Sequence, residues 1–141
     1  MRRLSDCRLE PGLSPDELAT AAQAFGVSFP PLWAAVLLDV HPVALPVPPR
    51  DPDGVLRWTR YPDWRCREPE RTRRMVQQGT APGLPPLVPL RGHWYAGWAD
   101  GHPVLSIVGA DVWTVAPTLA ALLGAEPVEP VDLPYWTSPP A

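Results

Sequence analysis

The residues best able to do chemistry gather in "LVPLRGHWYAGWADGHPVLSIVGADVW", residues 87–113, which holds His93 and His102 with Asp100 and Asp111 close by. A zinc site needs three or four converging ligands, and acid–base catalysis needs a titrating group placed against its substrate. His93 follows Gly92 and His102 precedes Pro103, so turn and strand-end roles fit them better than ligation. A small hydrolase or metal enzyme built on His93, His102 and Asp111 is therefore only a third reading. The acids Asp51 and Asp53, and Glu126, Glu129 and Asp132, lie in proline-rich stretches that place neither set in a cleft. No catalytic residue, metal site or cofactor is expected, and the chain is read as a non-enzyme.

A second constellation is "RWTRYPDWRCREPERTRR", residues 57–74. It carries seven of the twelve arginines against three acids, so the rest of the chain is strongly acidic. Trp58, Tyr61 and Trp64 alternate with arginine, an interleaving used to hold single-stranded nucleic acid. The same residues suit a protein interface, where arginine and tryptophan dominate hot spots, and they equally suit a solvated face with aromatic anchors in the core. In the first stretch, period-two spacing puts Trp94 and Trp98 on one face of a strand and Tyr95 on the other. Either one face is open for binding or the sheet is covered on both sides.

The elements that must position these residues are legible in part. In "GLSPDELATAAQAFG", Ser14 caps a helix, Pro15 fits its first turn, Glu17 completes a capping box, and Leu13 can staple onto Leu18. Gly26 supplies the stop. "PPLWAAVLLDV" predicts a second helix opened by Pro30 and Pro31 and closed before Pro42, making a helical hairpin. His41 to Asp53, with five prolines in thirteen residues, predicts an extended connection. A shorter helix is predicted over Pro69 to Gln78, stopped by Gly79. "LVPL" and "HWYAGW" predict a hairpin about Arg91 and Gly92, "PVLSIV" a third strand and "DVWTV" a fourth. Val115 to Leu123 predicts a last helix.

This order predicts an α+β fold, a mainly antiparallel central sheet flanked by the N-terminal helical hairpin and a C-terminal helix. A chain of 141 residues is the size of one domain. Residues 1–11 read as an N-terminal arm, 12–124 as the domain, and 125–141 as a Pro-rich tail that Tyr135 and Trp136 could tie back. The net charge of -3 excludes a globally basic nucleic-acid binder. Two cysteines make no disulfide framework, and no apolar run is long enough to span a bilayer, so a cytoplasmic protein with no membrane association is expected.

Three segments together resemble the SUKH superfamily of Smi and Knr-like proteins, chiefly its bacterial members. These are "LSPDELATAAQAFGVSFPPLWAAVL", the "YPDWR" element at Tyr61 to Arg65, and "LVPLRGHWYAGWADGHPVLSIVGADV". The likeness covers roughly residues 12–124. It departs at Leu32 and Ala22, where the family usually has acids, and in a compressed middle. The resemblance implies a central sheet flanked by helices and a binding role, since many bacterial relatives look like immunity proteins that cap a polymorphic toxin domain. The expected partner is thus a protein, held through Trp58, Tyr61, Trp64, Arg65, Trp94 and Trp98. The alternative is a nucleic-acid or nucleotide-binding domain using residues 57–74.

Overall fold

The computed structural model describes residues 7–44, 61–124 and 129–133. The element order is β1 (Cys7–Pro11), α1 (Pro15–Phe25), α2 (Pro31–Asp39), β2 (Val40–Ala44), α3 (Pro69–Gln78), β3 (Val88–Arg91), β4 (Trp94–Ala96), β5 (Val104–Val108), β6 (Asp111–Ala116) and α4 (Leu119–Leu123). The fold is α+β: β1 and β2 form an antiparallel pair, and β3-β4-β5-β6 form an antiparallel meander flanked by helices.

Local signals account for α1. Ser14 Oγ accepts the Glu17 backbone N–H, Glu17 accepts the Ser14 N–H in return, and Gly26 takes the left-handed conformation at φ 66°. Pro30 cannot cap α2 with a side chain, and the task falls to Asp100, which accepts the Leu32 N–H at 2.9 Å from 68 residues away. An acid that sequence placed beside the histidines therefore satisfies a helix terminus.

Three expectations change. The stretch after α2 is not all connection, because Val40–Ala44 continues directly into a strand paired with Cys7–Pro11. Accordingly, the second half of the N-terminal arm is also strand. The last helix starts at Leu119 rather than Val115: Thr118 Oγ1 caps it by accepting the Ala121 N–H, and Pro117 keeps Ala116 extended in β6.

Both faces of the four-stranded sheet are buried at its centre. Toward the helices lie Val88, Ala96 and Val104 with Ala21, Trp33 and Leu37. On the other face, Leu87, Tyr95, Leu105 and Ile107 pack with Leu133 from the C-terminal segment, which is strapped down by the Val131 N–H donating to the Gly101 carbonyl at 2.6 Å. Tyr95 pins α3 as well: its hydroxyl donates to the Met75 carbonyl at 2.7 Å, and its ring lies so close to Gly79 that a Cβ there would meet it at 2.7 Å. No helix among the described residues is long and apolar enough to cross a membrane.

Candidate functional site

The arginine-rich segment folds inward. Asp63 organises a tight loop by accepting the Arg65 and Arg67 backbone N–H groups on its two carboxylate oxygens, while its own N–H donates to Thr72. This holds Cys66 at φ 61°, a left-handed value that costs a non-glycine residue about 1 kcal/mol. Tyr61 and Trp64 are thereby turned into the core, and Phe25 and Phe29 meet the Trp64 ring edge-on at 5.8 and 4.9 Å. Neither aromatic is offered to a partner, because both are buried.

Arg65 is equally committed. Its Nε donates to Glu17, its Nη1 to Glu10, and its Nη2 to the Pro11 and Gly12 carbonyls at 2.7 and 2.9 Å. Arg67 bridges Glu10 and Asp63. Planar guanidinium forks thus tie the loop to the β1–α1 junction more than 50 residues earlier. Beneath them His41 is completely buried, and its Nε2 accepts the Trp64 N–H at 3.2 Å. With Nε2 accepting, the imidazole proton sits on Nδ1, which lies between Glu10 Oε1 at 3.3 Å and Arg65 Nη1 at 3.2 Å.

The charges follow from this packing. The Arg67 hydrogen bond, opposed by burial and helped by His41, holds Glu10 down at about 2. Burial pushes His41 below its ordinary value, outweighing the pull of Glu10. Burial works to raise Asp63, but Arg67 and the two loop amides overcome it and leave Asp63 lowered. Further along, Arg71 pairs with Glu68 and Arg73 with Glu70. The local positive balance is therefore largely answered by acids, two of them from outside the segment. A shallow pocket of about 230 Å³ between Arg8, Arg67 and Arg71 contains Asp63 and Glu68 as well, so it is not a one-signed anion cradle.

The three histidines occupy three separate settings: His41 in this clamp, His93 exposed in the β3–β4 turn, and His102 buried against Trp98 at 4.8 Å. His102 Nδ1 has no hydrogen-bond partner among the described residues, and it lies so near Gly97 that a Cβ there would stand 2.3 Å from it. Burial lowers the His102 pKa. Among the described residues no three His, Cys, Asp or Glu side chains converge as a metal site.

Trp94 and Trp98 do not share a face. Strand β4 ends at Ala96, so period-two spacing stops before Trp98, which packs on the Tyr95 side while Trp94 packs with the helix-side core. Trp58, Tyr135 and Trp136 lie outside the described residues. The residue that sequence reasoning passed over is Trp113. It is 53% exposed, and it sits in a row across the sheet, paired through Ser106 to Trp94, which is paired in turn to Arg91. The Arg91 guanidinium lies 5.1 Å from the Trp94 ring centre and 5.8 Å from that of Tyr61. Val108, 42% exposed, is two residues along β5 from Ser106 on the same face. Arg91, Trp94, Val108 and Trp113 thus make an aromatic shelf at the end of the sheet that carries both hairpin turns. Alternation in "DVWTV" was the available signal, since it sets Trp113 on the face of Asp111, a residue that stays in solvent.

The chain matches no family model, no curated protein and no solved structure.

Proposed function

We propose that the chain is a non-enzymatic protein-binding module whose contact surface is the shelf formed by Arg91, Trp94, Val108 and Trp113. The observation carrying this reading is the exposure of a tryptophan and a valine beside a half-buried tryptophan with an arginine over its ring. Large apolar side chains left in water cost free energy that a partner recovers, and Trp and Arg are the commonest hot-spot residues. The α+β fold with its capped helical hairpin is also what a SUKH-type protein would have, and with that likeness the partner is a toxin domain neutralised by capping in a bacterial cytoplasm. The internal pairing of Arg65, Arg67, Arg71 and Arg73 weighs against the nucleic-acid alternative, whose arginines would have to leave acids to reach phosphates.

The test is to express the tagged chain in its native host, identify what co-purifies at low and high salt, and titrate the purified candidate. A stoichiometric protein that survives high salt and loses affinity on Trp113→Ala supports the reading. Nucleic acid recovered at low salt and lost at high salt would replace it, since phosphate binding falls steeply with ionic strength.

A further inference from the structure

The two edges of the four-stranded sheet are treated differently. At β3, Pro89 lacks an N–H, a bulge interrupts the ladder between Pro89 and Arg91, and the α3 end is tied alongside by the Leu87 N–H donating to the Gly79 carbonyl. Proline, bulges and covering segments are the usual devices that stop an edge from pairing. Strand β6 has a bulge only at Val115, after its central residues, and no charge between Val112 and Ala116. Among the described residues β6 pairs with β5 alone.

Its outward backbone groups follow from the register. The two-residue turn Gly109–Ala110 closes on the pair Val108↔Asp111, which makes that pair and Ser106↔Trp113 the hydrogen-bonded ones. Independently, the Ile107 N–H donates to His93 on the β4 side at 2.9 Å, so Ile107 is turned away from Val112. The N–H and C=O of Val112 and Thr114 therefore point out of the sheet, with Trp113 between them.

We infer that the β6 edge is occupied by a second copy of this chain, paired antiparallel about a two-fold axis through Trp113. That register sets Val112 against Thr114 of the second copy and Thr114 against its Val112, so all four outward groups of each strand are met. The two Trp113 residues form the central non-hydrogen-bonded pair, where side chains approach most closely. Each Asp111 then faces a Val115, and no carboxylate confronts its like. The turn before Asp111 and the bulge after Thr114 limit regular pairing to this stretch. The two shelves become one surface, Trp113 beside Trp113. This goes beyond the capture reading: it concerns the purified chain without a target, and either can fail alone.

The experiment uses the full chain in two arms. Sedimentation from about 1 µM to about 1 mM covers a weak interface, and a concentration-dependent dimer is expected. Thr114→Pro, which removes an outward N–H and leaves the β5 ladder intact, is expected to return the monomer. In a Cys7→Ser, Cys66→Ser background, Trp113→Cys is expected to form an intermolecular disulfide on mild oxidation, because a non-hydrogen-bonded pair brings Cα atoms to about 4.5 Å. Val112→Cys, two residues out of register with its own copy, is expected not to. A chain monomeric throughout, or a dimer that ignores Thr114→Pro and cross-links no better at 113 than at 112, overturns the inference.

Discussion

The segment around Arg65 and the edge around Trp113 both contain arginine and tryptophan, yet they put them to opposite uses. Around Arg65 the guanidinium forks close on Glu10, Glu17 and Asp63, and the aromatics Tyr61 and Trp64 are buried. Around Trp113 the indole is in solvent and the neighbouring Arg91 lies over an aromatic ring. The difference lies in what each segment meets in space. Acids of β1 and α1 reach the first, turning a basic run into a clamp, while Trp113 on the last strand of the sheet is left more than half exposed. Composition alone draws attention to the first, whereas exposure singles out the second.

That contrast is open to direct attack. The largest effect is expected at the clamp: Arg65→Ala strands the Pro11 and Gly12 carbonyls and takes one guanidinium from Glu10 and Glu17, and should lower unfolding free energy by about 3 kcal/mol in urea titrations. Arg65→Lys should recover less than half, since one ammonium cannot serve Glu17, Glu10 and both carbonyls together. A loss below about 0.5 kcal/mol for Arg65→Ala, the range of ordinary surface changes, would free this residue for a partner after all.

Next in size is Trp113→Ala, expected to weaken partner binding by about 30-fold, or about 2 kcal/mol, while the melting temperature stays close to that of the parent. Calorimetric titration and thermal melts on the same sample separate the two. A fall in stability with no fall in affinity would make the shelf structural.

A smaller effect concerns pH. Because His41 is held below its unfolded value near 6.5, the unfolded chain binds its proton first, so stability is full above that value and declines as pH falls through it. Glu10 acts in the same direction lower down: its contribution is present above 4.5 and is lost as pH falls toward about 2. Denaturation followed from pH 8 to pH 3 should show an earlier decline that His41→Gln removes. A flat profile down to pH 5 would contradict the buried neutral imidazole. The smallest effect is at Arg74, exposed on α3 and in no ion pair among the described residues, where alanine should change stability by less than about 0.5 kcal/mol.

Much of the fold was legible because its signals are local. Ser14, Glu17 and Gly26 fix α1, Pro69 and Gly79 bracket α3, and β-branched runs with glycine turns mark the meander. What escaped was non-local. Strand β1 is "CRLEP", without alternation or β-branching, and exists because Val40–Ala44 comes back to pair with it some 30 residues later. The clamp escaped for the same reason: nothing within "YPDWRCR" says that Glu10 will meet its arginines. The shelf was half visible, since Trp94 stood out, but pairing through Ser106 was needed to join it to Trp113. An exposed tryptophan in a strand of valines reads as core until the edge of the sheet is known.

The most direct test of the central contrast is a side-by-side titration of the co-purified partner against Trp113→Ala and Arg74→Ala, with the wild-type chain as reference. We predict that the tryptophan variant loses about 30-fold in affinity at both low and high salt and that the arginine variant binds as the parent does. Full affinity in Trp113→Ala, with a salt-dependent loss in Arg74→Ala, would contradict the account and return the binding surface to the arginine segment.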